Sequence, residues 1–363
     1  MKSLVLTCLL AALPVSIFAA GEPAGVDALG PDDVAKAVAA LKQNYVHPED
    51  LSDAEIARAT LQGLLDRLSP AVTLVSGSGS AEKAAPFYSE LYGGRTGYLR
   101  VGDFSNDNVA KAAGTIKDWN AKNVGAVVLD LRGTPPNGDF DTGAALAEMF
   151  CAKGTQLFSL ESIPASGAQA KDGSIPMSQM TMEYVVKNPP AQYKGVLVVL
   201  VDGDTAEAPE AVAASLQKCA KALIVGDRTA GKPFKFTDVP LSGAVLRMAT
   251  AQVILPDGKQ PGEGGLMPDI SIGIGAANKP DVMKSITSSG VGSVVQEQSR
   301  PHLNEAALVA HNNPEVDEIE AEQSGRKPPE PLLDRQLQRA LDLLTSISIY
   351  QTRATGFSAP AGQ

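Results

Sequence analysis

Three short apolar runs, at residues 124–131, 196–201 and 222–225, constrain the fold of this chain more than any other feature. A strand that alternates apolar and polar residues buries one face, whereas a run that is apolar throughout must bury both. Helical apolar spacing predicts helices at 109–120, 144–150 and 209–220, and a further short strand is expected at 97–101. Strands alternating with helices give an α/β core with parallel pairing. With 44% apolar residues in 363, the chain has enough material for a sizeable core and is too apolar to stay disordered.

Around this core the texture changes. Val34, Val38, Leu41 and Tyr45 recur at helical spacing, and Pro48 ends that helix. Ser52 with Glu55 forms a capping-box pattern ahead of a second helix carrying Ile56, Leu61, Leu64, Leu65 and Leu68. These helices form an N-terminal segment over 21–75, and a Gly/Ser/Ala/Pro-rich connector follows over 76–96. The core is expected over 97–275, ending in strand texture at 244–272 that Pro256-Asp257-Gly258 interrupts with a turn. Residues 276–331 are acidic and Pro-punctuated and read as a linker. A C-terminal amphipathic helix over 332–350 aligns Leu333, Leu337, Leu341 and Leu344, facing either its own core or a partner.

Residues 1–20 have a leader's layout: Lys2, an apolar run from Leu4, then Pro14 and the small residues Ala19 and Ala20. This predicts a signal peptide, an exported and periplasmic protein, and no permanent membrane span. In an oxidising compartment Cys151 and Cys219 either pair as a disulfide or remain two buried thiols. The net charge of -10 argues against a nucleic-acid partner, which would need a basic face to meet phosphates. Three Cys and three His make a Cys/His metal site improbable and leave only His47, His302 and His311 for imidazole chemistry.

Several segments, taken in order, resemble the tail-specific, or C-terminal processing, protease family. Gly97-Tyr98-Leu99-Arg100-Val101 is similar to its opening strand, and Leu129-Asp130-Leu131-Arg132-Gly133 to its "LDLR" strand and loop. Thr205-Ala206-Glu207-Ala208-Pro209-Glu210 stands where the family has "SASASE". Val225-Gly226-Asp227-Arg228-Thr229-Ala230-Gly231-Lys232 resembles "VGxxTxGK", and Pro256-Asp257-Gly258 with Gly265-Leu266-Met267-Pro268-Asp269 resembles "TPDG…GIxPD". The resemblance implies a ClpP/crotonase-like core, a Ser/Lys dyad, a peptide or protein C-terminus as ligand, and no cofactor or metal. The family's PDZ module has no room in the connector. A serine hydroxyl needs a base to become a nucleophile, a lysine can be that base when burial favours its neutral form, and backbone N–H groups hold the oxyanion.

The sequence departs from the pattern where the chemistry would occur. Lys232 keeps the base position, but the nucleophile position is Glu207, at an unchanged spacing of 25 residues. The orienting glutamine becomes Phe236. The oxyanion loop reads Gly133-Thr134-Pro135-Pro136-Asn137-Gly138, so either Pro136 replaces a needed N–H or Gly138 serves in a longer loop, with Ala208 supplying the second donor. A carboxylate at ~4 Å from Lys232 would stabilise the ammonium by roughly 4 kcal/mol at an effective dielectric of ~20, before desolvation. A Glu207–Lys232 ion pair is therefore expected, at the N-terminus of a helix whose dipole favours negative charge. Thr205 and Ser215 could be nucleophiles only in another geometry. Asp204, Glu210 and Asp227, the nearby carboxylates, read as caps or surface charges. Two functions stay open: an inactive member of the fold that binds peptides or assembles with envelope partners, and a peptidase with an atypical site.

Overall fold

The structure is a computed structural model and describes residues 26–76, 84–136, 139–162, 180–187, 193–262, 264–273, 279–296 and 332–356. The expected leader, Gly138, His302, His311 and most of the expected linker lie outside the described residues. The chain divides into two compact units, residues 1–67 and 68–363.

In the first unit, α1 (Pro31–Asn44) begins on a proline, whose missing N–H costs nothing there. The helix α2 (Asp53–Leu68) follows a short turn at Pro48–Leu51. The Ser52 hydroxyl accepts the Glu55 amide at 3.2 Å, which is half of the expected capping box. His47 lies against Glu49 at 3.2 Å on the surface.

The second unit is built on a six-stranded sheet. In spatial order it holds β11 (Ile270–Ser271), β8 (Leu223–Gly226), β7 (Val196–Val201), β4 (Ala126–Asp130), β3 (Thr96–Arg100) and β2 (Tyr88–Tyr92). All neighbours are parallel except the β2–β3 hairpin. The continuous apolar runs now have their reason. Val127, Leu129, Leu197, Val199 and Val201 point into one core, with α3 (Asn106–Ala121), α4 (Phe140–Glu148) and α5 (Glu207–Cys219). Val128, Val198 and Leu200 alternate to the other face, under α6 (Lys279–Ser289) and α7 (Arg335–Gly356). The question left open for the C-terminal helix is answered in favour of its own core: Leu337, Ala340, Leu341 and Leu344 are buried there. Each of those leucines contributes roughly 1.5–3 kcal/mol by leaving water.

A second, five-stranded antiparallel sheet holds β1 (Val72–Ser76), β5 (Gln156–Ser162), β6 (Met180–Val185), β9 (Phe234–Leu241) and β10 (Ala244–Ile254). The long strand β10 pairs with β9 along most of its length, and with β1 and β5 on its other edge. Four boundaries differ from the sequence reading: the C-terminal helix runs Arg335–Gly356, so Leu333 precedes it, and three others lie earlier in the chain. Residues 72–76 form β1 instead of closing the helical segment, the connector supplies β2, and the segment read as linker supplies α6. Strand β1 ends at Ser76 and β2 begins at Tyr88, an interval too short for a further folded domain. Cys151 and Cys219 are joined as a disulfide with a Cα separation of 5.6 Å. Among the described residues no helix is long and apolar enough to cross a membrane.

Candidate functional site

The site is built at the turn from β7 into α5. After Val201 the chain closes a tight turn in which the Asp202 amide donates to the Thr205 hydroxyl, which itself donates to the Asp202 carboxylate (3.1 and 3.2 Å). Glu207 then opens α5 with φ of 56°, in the left-handed region that costs a side-chain-bearing residue about 1–3 kcal/mol. The loop after β8 is stitched onto this turn: Ala230 N–H donates to the Thr205 carbonyl (2.9 Å) and Glu207 N–H to the Lys232 carbonyl (3.1 Å). These two bonds bring the nucleophile and base positions together.

Glu210 fastens the same loop from inside. Its carboxylate accepts the Gly231 amide (3.1 Å), the Lys232 amide (2.9 Å) and the Thr229 hydroxyl. Burial pushes the Glu210 carboxyl above its ordinary range, and the hydrogen bonds from Thr229, Lys232 and Gly231 oppose that shift. Glu210 is fully buried, which corrects its reading as a cap or surface charge.

The expected Glu207–Lys232 ion pair is not formed. The partner of Glu207 is Arg247, whose Nη2 donates to Oε1 at 2.6 Å. Arg247 sits on β10 opposite Thr73 of β1 and Asp238 of β9, so the second sheet delivers it. Its guanidinium carbon lies 5.0 Å from the centre of the Phe236 ring, a cation–π contact. Phe236, at the family's orienting position, thus supports an arginine. Lys232 is exposed and makes no ion pair with Glu207. Burial pushes the Glu207 carboxyl up, while the Arg247 charge and hydrogen bond pull it down, with a net rise. Its second oxygen is buried without a hydrogen-bond partner among the described residues.

Glu207, Lys232, Phe236, Arg247 and Pro136 line one cavity of about 290 Å³, walled also by Thr73 and Val75 of β1. Ala208 is buried next to Glu207, in the first turn of α5, where N–H groups have no intrahelical acceptor. Gly133 turns the other loop with φ of 69° and lines a neighbouring cavity of about 570 Å³. Both cavities include Asp204, which is paired with Lys279 at 2.8 Å. The two hydroxyls singled out in the sequence are committed: Thr205 to its turn, and Ser215 to the Leu157 and Ala211 carbonyls (3.1 and 2.7 Å). The arrangement offers a narrow cleft with a neutralised carboxylate at its floor, a cation at its rim and no free hydroxyl at the helix start.

Comparison with known proteins places a family on this geometry. Residues 95–272 match the model of peptidase family S41. The carboxy-terminal-processing protease of Bartonella bacilliformis is 29% identical over 49% of this chain and 39% of its own length. The chloroplastic C-terminal processing peptidase of Tetradesmus obliquus is 27% identical over 57% of this chain and 40% of its own. This chain thus spans about two fifths of the curated relatives it matches. The solved photosystem II D1 C-terminal processing protease is 24% identical, with a TM-score of 0.40 over 60% of this chain and 52% of that one.

Proposed function

Residues 95–272 are a peptidase family S41 domain, and from that premise we propose that this chain is a non-hydrolysing member of the family, exported to the cell envelope, that binds a peptide or protein C-terminus in the former substrate cleft. The observation that carries the reading is the Glu207–Arg247 pair at the nucleophile position. A carboxylate already bonded to a guanidinium is a poor nucleophile, and among the described residues no serine stands beside it to be activated. The cleft keeps its walls, and the edge of β1 beside it suits an extended peptide, which adds to a sheet by main-chain hydrogen bonds. The disulfide fits an oxidising compartment.

The competing reading is a working peptidase with an atypical site, favoured by Lys232 lining the same cavity as the nucleophile position. The two separate in one experiment. The purified chain, Lys232→Ala and Glu207→Ser are incubated with an unfolded protein and with labelled peptides ending in apolar residues. The expected result is peptide binding by fluorescence anisotropy with no turnover by the natural chain. Turnover that disappears in Lys232→Ala overturns the proposal.

A further inference from the structure

Arg132, the last residue of the "LDLR" motif, is completely buried, and every N–H of its guanidinium has an acceptor. Nε and one Nη2 proton go to Asp130 (2.9 and 2.7 Å), and the second Nη2 proton goes to Asp334 Oδ2 (2.7 Å). Both Nη1 protons go to the start of α7: Asp334 Oδ1 at 3.0 Å and Gln336 Oε1 at 2.8 Å. Asp334 also caps α7 through the Leu337 amide (3.0 Å), and Gln336 donates to the Ile272 carbonyl (2.7 Å). One edge of the guanidinium therefore depends wholly on residues about two hundred positions further along the chain.

Arg132 also opens the loop beside the cleft. Its own amide is held by the Asp130 carboxylate at 3.0 Å, and the next residue, Gly133, turns with positive φ and accepts the Ala85 amide at 3.2 Å. Pro136, three residues on, walls the Glu207 cavity. We propose that Asp334 and Gln336 are positioning residues for the cleft: they hold Arg132, and through it the backbone from Gly133 to Pro136. The physical reason is that a buried guanidinium deprived of acceptors must move to find water, and moving it carries the attached backbone. The proposal does not depend on whether the cleft hydrolyses or only binds.

The test is site-resolved hydrogen exchange on the full chain, with the amides of Arg132, Gly133 and Thr134 as the readout. Asp334→Asn and Gln336→Leu remove acceptors from Arg132. Leu344→Ala loosens α7 by packing alone, at a residue with no bond to Arg132. The first two are expected to accelerate loop exchange about tenfold or more while the β7 amides stay within roughly twofold, and Leu344→Ala to leave the loop amides unchanged. Asp334→Glu, which keeps the charge, is expected to retain most of the protection. Loop exchange unmoved by Gln336→Leu, or moved equally by Leu344→Ala, overturns the proposal. Gln336→Leu leaves both carboxylates on Arg132 and decides the question if Asp334→Asn does not fold.

Discussion

Replacing Arg247 with alanine isolates the electrostatics of the cleft. The Glu207 side chain is 4% exposed and that of Arg247 is 29% exposed. Breaking a fully buried pair costs about 3–5 kcal/mol because the surviving charge has no partner. Here solvent reaches the arginine, and Glu207 can take up a proton, so about 2 kcal/mol is expected at neutral pH, roughly thirtyfold in the unfolding constant. The sign of the pH dependence follows from the carboxyl. Burial already holds it above its ordinary value of 4.5, and Arg247 is the main force pulling it down. Removing Arg247 raises the folded-state value further. A carboxyl raised on folding binds more protons in the folded than in the unfolded state, so stability falls as pH rises from the unfolded value through the folded one. The loss in Arg247→Ala should therefore be largest at pH 7–8 and shrink toward pH 4.5, leaving about 0.5–1 kcal/mol for the lost Phe236 contact. Urea unfolding followed by the single tryptophan, Trp119, which is buried in α3, measures this unit directly. Glu207→Gln combined with Arg247→Ala should regain about 1 kcal/mol at pH 7.5 and lose the pH dependence. A destabilisation of Arg247→Ala that is flat with pH, or a double variant no better than the single one, refutes the reasoning.

Two further outcomes follow from the same region. Glu210→Ala should cost about 2–3 kcal/mol, since three donors lose a buried acceptor, and should raise exchange at Gly231 and Lys232 more than at β4; equal exchange at both would remove Glu210's role as the loop's fastener. Reducing the Cys151–Cys219 disulfide, or replacing both residues with serine, should lower stability by about 2–4 kcal/mol, because the bond closes a loop of 68 residues. Urea midpoints with and without reductant check this, and identical midpoints would refute it.

The core was legible because burial on both faces of a strand leaves a mark along the chain. Residues 196–201 needed no other argument, and Val198 and Val199 do face opposite cores. Strand texture is expected over 244–272, and β10 lies within it, but nothing along the chain marks its partners or the other strands of the second sheet. Strand β10 reads Ala-Val-Leu-Arg-Met-Ala-Thr-Ala-Gln-Val-Ile, mostly half-buried with no clean period, and β1 is a short edge strand behind a helix. Their identity comes from pairing with each other across more than 160 residues, information that periodicity does not contain. The helix α6 was missed because its three buried residues, Val282, Met283 and Ile286, are diluted among Ser, Thr, Lys and Pro.

The site shows where a motif reading stops. Spacing placed Glu207 and Lys232 in one cleft, and the stitched loop does bring them together. Spacing did not say which cation would neutralise the carboxylate. The choice of Arg247 follows from the register of β10 against β1 and β9, which sets which side chains reach over the start of α5. A guanidinium on that strand can reach Oε1 and stack on Phe236 at once, whereas Lys232 stays in water at the rim. Three residues that look unrelated in sequence, Glu207, Phe236 and Arg247, therefore form one connected cluster in the cleft. A serine at position 207 alone would still face Arg247, which keeps its contacts with Phe236 and with Asp238 at 4.0 Å. Under the proposed function Glu207→Ser is expected to stay without turnover of the labelled peptides, and turnover by that single variant would show that Arg247 and Phe236 do not block the site.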